Sequence, residues 1–385
     1  MNEKKTILIL VSDLGSFLSN RLQIAKAAKK KGHVIHVAYF EKGKGKNSVL
    51  IKNGLKFHFL NINRGFANPF KEIYSLYKIF KLFKIINPNL VHLIAIKPYL
   101  YGGIISRITK VDAVLVAVAG MGSLFITKNL FSFLLKKILF LLFKISFSHS
   151  NQKIILQNPE DKKLLVKWKV LKPSKAVIFR GSGVNLNKFK YFSEVKTKKP
   201  IISFIARLLY HKGIIEFINA AKLLNKKSVN ADFWIVGDID KENPSALNEM
   251  EINKLKKNSF INFKGYKKNI VKIYRNSHII CLPSYREGLS LTLIQAAAAG
   301  RAVVTTNVAG CRHAIIPNKT GYLVPVKNSN LLAEKLEFLI KNYQVRIKMG
   351  RAGRKLAEKY FDINKIVNQH LNVYDELLFK KNYKK

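Results

Sequence analysis

The chain reads as an α/β protein of two tandem domains, each built on a mostly parallel sheet flanked by helices. Three observations support this. Short β-branched runs alternate with helix-period stretches. That alternation halts at a polar stretch, Ser193–Pro200, and then restarts. The length of 385 residues also exceeds what one hydrophobic core usually serves.

The first strand is Ile7–Val11, followed by a Gly15-Ser16 turn and a helix from about Leu18 to Lys31. Val34–Tyr39 is the next strand, and later ones are Leu90–Leu93, Ala113–Val118, Ile154–Leu156 and Ala176–Phe179. Helices are expected over Phe70–Ile86 and Tyr99–Thr109. After the polar stretch come strand Ile201–Ile205, helix Ile214–Lys222, strand Phe233–Val236, helix Ser245–Lys257 and strand Ile261–Phe263. Ile279–Leu282 and Ala302–Thr305 continue the series, with an Ala-rich helix starting near Leu291 between them. The expected domains are residues 1–192 and 200–362, and 363–385 form a terminal helix whose basic end, Lys380–Lys385, frays.

Composition narrows the functional classes. The formal net charge is +47, from 69 Lys and Arg against 22 Asp and Glu. Between Lys42 and Pro159 the only acids are Glu72 and Asp112, whereas acids return in the second half. An AT-rich coding bias toward Lys, Asn, Ile and Phe accounts for part of this; the asymmetry points to an anionic surface or substrate at the first domain. Two cysteines, Cys281 and Cys311, offer no metal-ligand spacing, and Cys281 lies in an apolar strand. The polar start Met1–Lys5 is unlike a signal peptide, which fits a reducing compartment. Leu130–Phe147 is long enough to span a bilayer, but Lys136, Lys137 and Lys144 each cost about 2.5–3.5 kcal/mol near its centre. Two readings stand: a helix half-sunk in an anionic membrane surface, or a core helix with snorkelling lysines.

Residues 281–303 carry the most functional information. A buried-strand run breaks at Pro283 and passes through Arg286-Glu287-Gly288 directly onto a helix. The first-turn amides of a helix lack intrahelical partners and carry partial positive charge, so they suit an anionic ligand. Glu287 at the rim is placed to accept hydrogen bonds from hydroxyls, so the combination suits a phosphate joined to a polyol. Arg207 follows a strand, and Lys212 stands just before Gly213 and a helix. Two cations on such a loop make a diphosphate clamp, with Arg as a bidentate partner and Lys as a point charge.

These blocks resemble the retaining family-4 glycosyltransferases, with Glu287 as the first acid of their E-x7-E signature and Arg207…Lys212-Gly213 as their phosphate clamp. Ile235-Val236-Gly237-Asp238…Asn243-Pro244 and Phe263-Lys264-Gly265-Tyr266 fall between at the expected places. Eight positions after Glu287 the family usually has a second glutamate, and here Gln295 stands there; Ser290 replaces a usual proline. A neutral hydrogen bond contributes about 0.5–1.5 kcal/mol against about 1.5–3 for a charged one, so Gln295 implies a weaker grip on a ribose. The resemblance implies two Rossmann-like domains facing across a cleft (the GT-B type), a terminal helix within 363–385 that crosses back to the first domain, and a catalytic set of Glu287, Arg207 and Lys212. It further implies substrate contacts at Gly288, Leu289, Ser290, Leu291, Thr292, Gln295, Gly237, Gly265 and Tyr266. In the first domain it places Gly15, Ser16, Arg21, Gly120 and Gly122 at the substrates. Ala119 stands where many relatives have a histidine, which removes the obvious candidate base.

The reaction that the resemblance implies is retaining transfer of a hexosyl or N-acetylhexosaminyl group from a UDP-sugar, without cofactor or metal, although one Asp-x-Asp spacing, Asp238-Ile239-Asp240, occurs. The narrower similarity, carried by Phe179–Asn185 and Ala206–Gly213, is to bacterial N-acetylhexosaminyltransferases that use diphospho-undecaprenol-linked saccharides. The expected partners are that donor, that acceptor and an anionic membrane surface, not nucleic acid, at the cytoplasmic face of the inner membrane. Rival readings are a lipopolysaccharide-core or capsule transferase, a UDP-sugar 2-epimerase, and a basic nucleic-acid-binding protein.

Overall fold

The structure, a computed structural model, describes residues 3–42, 45–63, 65, 68–120, 130–240, 243 and 245–379, with the side chains of 130–137 excepted. The chain divides into two compact units, Met1–Ser182 with Asn364–Lys385, and Gly183–Ile363.

The first unit holds a seven-stranded sheet: β1 (Thr6–Asp13), β2 (Val34–Glu41), β3 (Lys56–Phe59), β4 (Leu90–Ile94), β5 (Ala113–Val118), β6 (Gln152–Leu156) and β7 (Ala176–Ile178), in the order β3-β2-β1-β4-β5-β6-β7. Every recorded pairing is parallel. β4 and β5 are buried at every position, as a sheet covered on both faces requires. Strand direction reverses its progress between β1 and β4, and the carboxyl ends of those strands border the crevice where such sheets bind ligands.

The second unit repeats the plan with six strands: β8 (Ile201–Ile205), β9 (Asp232–Val236), β10 (Ile261–Gly265), β11 (Ile279–Leu282), β12 (Ala302–Thr306) and β13 (Gly321–Val324), in the order β10-β9-β8-β11-β12-β13. All are parallel, and the switch point lies between β8 and β11. Its core runs from Ile202, Phe204 and Phe217 through Ile279–Leu282 to Leu293 and Ala296–Ala299.

Three expectations need correction, and two strands had none. The polar stretch Ser193–Pro200 is not the boundary, because it is fastened to the second unit. Buried Arg301 donates to the carbonyls of Phe192 and Ser193, Glu194 pairs with buried Arg346 at 2.8 Å, and the Val195 carbonyl meets His278 Nε2 at 3.0 Å. The helix expected from Leu18 to Lys31 is two helices, Leu14–Asn20 and Leu22–Lys30, broken at Arg21. Asp13 ends β1 and caps the first of them, so that helix starts four residues earlier than expected. The helix expected from Ser245 begins at Glu249, where Asn248 and Glu251 form a capping box. Edge strands β3 and β13 had no expectation at all; each is four residues long, β3 is largely exposed and β13 opens on glycine. The terminal helix, Ile363–Phe379, belongs to the first unit: Tyr374 Oη lies 2.7 Å from His92 Nδ1, and Lys31 pairs with Asp375 at 2.6 Å.

Candidate active site at the carboxyl edge of the second sheet

The expected second-domain residues converge on one edge of one sheet. Arg207 follows β8, Gly237 follows β9, Gly265 ends β10 with Tyr266 next, and Glu287 follows β11. Parallel strands place all four loops together. Gly237 takes φ +154°, and a Cβ there would lie 1.7 Å from the Ala206 carbonyl oxygen. Its amide donates to the Gly265 carbonyl at 3.1 Å, so this glycine ties the β9 loop to the end of β10 while its missing Cβ lets it lie against the β8 loop.

The central contact joins the β8 and β11 loops. Gly213 turns the chain at φ +77° between the short turn Tyr210–Lys212 and helix Ile214–Lys226, and a Cβ there would stand 2.1 Å from the Pro283 carbonyl oxygen. That close approach lets the Tyr285 amide donate to the His211 carbonyl at 2.8 Å. Lys212 Nζ then reaches Glu287 Oε1 at 2.5 Å, with both side chains largely buried. Ser284 Oγ donates to the same Oε1 at 2.7 Å, and among the described residues Oε2 accepts nothing. Arg207 is half-exposed and pairs with Asp240 Oδ2 at 2.5 Å.

Helix Leu291–Ala298 opens behind Glu287 with Ser290 as a cap that makes no side-chain capping bond. The Ser290 amide donates to the Gly310 carbonyl at 3.4 Å, whereas those of Leu291 and Thr292 have no acceptor among the described residues. These two amides are therefore open at the start of the helix, the position at which the sequence predicts anion donors. The Thr292 hydroxyl is committed elsewhere: it donates to the Ile205 carbonyl at 2.9 Å and ties the helix to the end of β8. Gln295 lies one turn further on, half-buried, on the same side of the helix as Leu291 and Thr292. His211 bonds Ser245 Oγ through Nδ1 at 2.9 Å. Burial first, then neighbouring Lys212, with Glu287 opposing and Arg207 adding, pushes its pKa down to about 4, so it is neutral near pH 7.

Four contributors escaped the sequence reading. Asp240 and Ser284 hold Arg207 and Glu287, and Glu216 accepts from Tyr285 Oη at 2.5 Å to brace the β11 loop. Gly310 lets the helix Ala309–Arg312 lie against Glu287, since a Cβ there would stand 2.4 Å from the Glu287 carbonyl oxygen. A lone Gly within Ala-Gly-Cys carries no signal by itself.

In the first unit the picture changes. The amides of Gly15 and Ser16 are already bonded to the Asp13 carboxylate, at 2.7 and 3.2 Å. Arg21, expected to reach an acceptor phosphate, is instead buried at the helix break, and burial lowers its pKa to about 10 against the opposing effect of Tyr374. Its Nη1 has no hydrogen-bond partner among the described residues. Gly120 follows β5 at φ +140°; Gly122 lies outside the described residues.

Comparison with known proteins identifies the family. Residues 187–356 match the family described as glycosyl transferases group 1, and residues 7–158 match glycosyl transferase 4-like. The chain is 30% identical over 337 residues to N,N'-diacetylbacillosaminyl-diphospho-undecaprenol alpha-1,3-N-acetylgalactosaminyltransferase of Campylobacter jejuni, covering 84% of this chain and 87% of that one. It is 28% identical to the capsular polysaccharide biosynthesis glycosyltransferase CapM of Staphylococcus aureus over 46% of each chain. The fold is that of Anabaena HepE, solved in complex with UDP-glucose, with a TM-score of 0.75 at 15% identity over 97% of this chain and 100% of that one. With both halves matched and a relative aligned over most of its length, the chain belongs to the group 1 glycosyltransferases and is a nucleotide-sugar-dependent glycosyltransferase.

Proposed function

We propose that the protein transfers a hexosyl or N-acetylhexosaminyl group from a UDP-sugar to a diphospho-undecaprenol-linked saccharide, with retention at the anomeric carbon and without a metal. The observation that carries this is the Lys212–Glu287 pair beside the open amides of Leu291 and Thr292. Glu287 Oε2 accepts donor-sugar hydroxyls, while Arg207 and Lys212 meet the diphosphate. As the glycosidic C–O bond breaks, the UDP oxygen gains negative charge, and fixed cations there stabilise the transition state more than the ground state. The acceptor hydroxyl oxygen forms the new bond to the anomeric carbon on the same face. Its proton passes to the departing phosphate, consistent with Ala119 and with the neutral His211 already engaged by Ser245. The UDP-glucose complex of the Anabaena structure and the name of the Campylobacter relative favour this donor and acceptor.

We further propose a peripheral site of action at the cytoplasmic face of the inner membrane, held by Leu130–Phe147. Among the described residues no helix is long and apolar enough to cross a membrane. Leu139, Phe143 and Phe147 are buried, whereas Ile138, Leu141 and Lys144 are exposed, which favours a helix with one face in the core and one on a surface.

The test is to incubate the protein with a panel of UDP-sugars and a diphospho-undecaprenol-linked saccharide and to measure UDP release with product mass. Turnover with one UDP-N-acetylhexosamine, dependent on the lipid-linked acceptor, is expected. Turnover only with a lipopolysaccharide-core or capsule acceptor would replace the acceptor assignment, and no UDP release from any donor would refute the donor assignment.

A further inference from the structure

In the first unit, helices Pro69–Ile86, Ile96–Ile108 and Leu130–Ser146 lie side by side, the middle one packing against both neighbours. They cover one face of the sheet through a shared core that includes Ile79, Phe83, Tyr99, Leu100, Leu139 and Phe143. The outer face of the first helix is apolar where water should make it polar: Phe70 is 82% exposed, Ile73 64%, and Tyr74 and Tyr77 57% each. At about 3.6 residues per turn these four share one side, opposite the buried Ser75, Ile79, Leu82 and Phe83. The third helix repeats the arrangement, with Ile138, Leu141 and Ile145 open and Leu139 and Phe143 inward. Soluble monomers rarely leave such contiguous apolar stripes uncovered.

Charge selects what covers them. Lys81 and Lys84 continue the first stripe toward the helix end, and Lys71 and Lys78 flank it. The helix's sole acid, Glu72, is turned inward, paired with Lys97 at 2.8 Å and accepting from Tyr101 Oη at 2.6 Å. The surface is therefore apolar and cationic with its one carboxylate withdrawn. A second copy docking by two-fold symmetry would set these lysines against their own counterparts. An anionic bilayer complements both features, since aromatic rings favour the headgroup level and lysines attract acidic lipid.

We propose that this helical layer is a bilayer-docking face, in which Phe70, Ile73, Tyr74 and Tyr77 enter the interface of an anionic membrane alongside the Leu130–Ser146 helix. The proposal rests on the reading of a membrane-bound acceptor, and it adds an element whose sequence alone read as an ordinary flanking helix. The test is flotation of the full chain with vesicles of phosphatidylcholine alone or with phosphatidylglycerol, comparing wild type with the fourfold variant F70S/I73S/Y74S/Y77S. These positions are exposed, so an unchanged melting temperature verifies folding. The variant should bind anionic vesicles at least tenfold more weakly, and Tyr77→Trp should be quenched by brominated acyl chains. Equal flotation of variant and wild type, or no quenching, overturns the proposal. So does a wild-type dimer that the variant abolishes while vesicle binding stays constant. Transfer to a short, water-soluble acceptor should be the same in both proteins. If wild type uses no lipid-linked acceptor yet the variant still loses vesicle binding, the docking face stands and the acceptor assignment falls.

Discussion

Replacing Lys212 by alanine tests the proposed chemistry most directly. Among the described residues Nζ holds one bond, to Glu287 Oε1 at 2.5 Å, and an ammonium has three protons, so the group can serve a carboxylate and a phosphate together. A unit charge about 4 Å from a phosphate oxygen, at an effective dielectric of about 20, interacts by about 4 kcal/mol. Only the part that grows as the leaving group becomes more anionic appears as rate, but the variant also strands Glu287 with Ser284 as its remaining donor. Truncating one partner of a desolvated charge contact costs about 2–5 kcal/mol, a fall of about 30- to 5000-fold in kcat/KM. The assay is initial-rate UDP release at several donor concentrations, with UDP binding measured separately.

The Lys212→Ala, Glu287→Gln double variant separates two roles. If Lys212 does no more than hold Glu287, its loss in the glutamine background should change little. If it meets the diphosphate, the second substitution should cost at least another tenfold. A Lys212→Ala enzyme within threefold of wild type would refute the clamp.

Further outcomes follow from other parts of the molecule. Gln295→Glu should lower the donor KM severalfold with little change in kcat, because the ribose is remote from the reacting carbon; an unchanged affinity for UDP would show that the neutral amide is not limiting. Tyr374→Phe removes the partner of buried His92 Nδ1 beside Arg21 and should cost about 1–3 kcal/mol in urea unfolding, with activity per folded molecule retained. Lys136, Lys137 and Lys144 changed together to glutamate should release the protein from anionic vesicles yet spare a water-soluble acceptor, and undiminished flotation would mark that helix as ordinary core. Burial lowers the pKa of His370 to about 3 and of His36 and His211 to about 4, so between these values and the ordinary 6.5 the unfolded chain binds more protons. Stability is then fully present above pH 6.5 and falls as pH drops toward 4, which thermal melts across that range will show as a declining midpoint.

What the sequence displayed, and what it hid, divides by whether the signal is local. Buried parallel strands such as Ala113–Val118 and Ile279–Leu282 appear as unbroken apolar runs, because sheets covered on both faces have no polar side to interrupt them. The β8 and β11 loops were legible because a strand, a loop with cations or a carboxylate, and a helix occur within a dozen residues. Edge strand β3 was missed because it is only four residues long, and its Lys-Phe-His-Phe alternation is too short to mark a strand when both phenylalanines stay exposed. The fate of Arg21 was equally hidden. A basic residue early in a helix reads as surface, and only the return of Ile363–Phe379, more than three hundred residues later, covers it with Tyr374 near His92.

The same distinction explains why Glu287 has company that no motif records. A motif names the residue that would touch substrate, but the residue's position depends on close backbone contacts and side-chain bonds made by residues outside the motif. Gly310 and Gly213 act by lacking a Cβ where the Glu287 and Pro283 carbonyls must pass. Ser284 and Asp240 act by fixing which oxygen and which guanidinium nitrogen are already engaged. An alanine at position 310 would thus push the Glu287 backbone away from a Cβ 2.4 Å distant while leaving every motif residue in place. That substitution should depress kcat more than it depresses folding, since the helix Ala309–Arg312 has only four residues to shift, whereas Glu287 tolerates little displacement. If Gly310→Ala lost stability and activity in proportion, the glycine would be a packing residue and the placement of Glu287 would have to come from Ser284 and Lys212 alone.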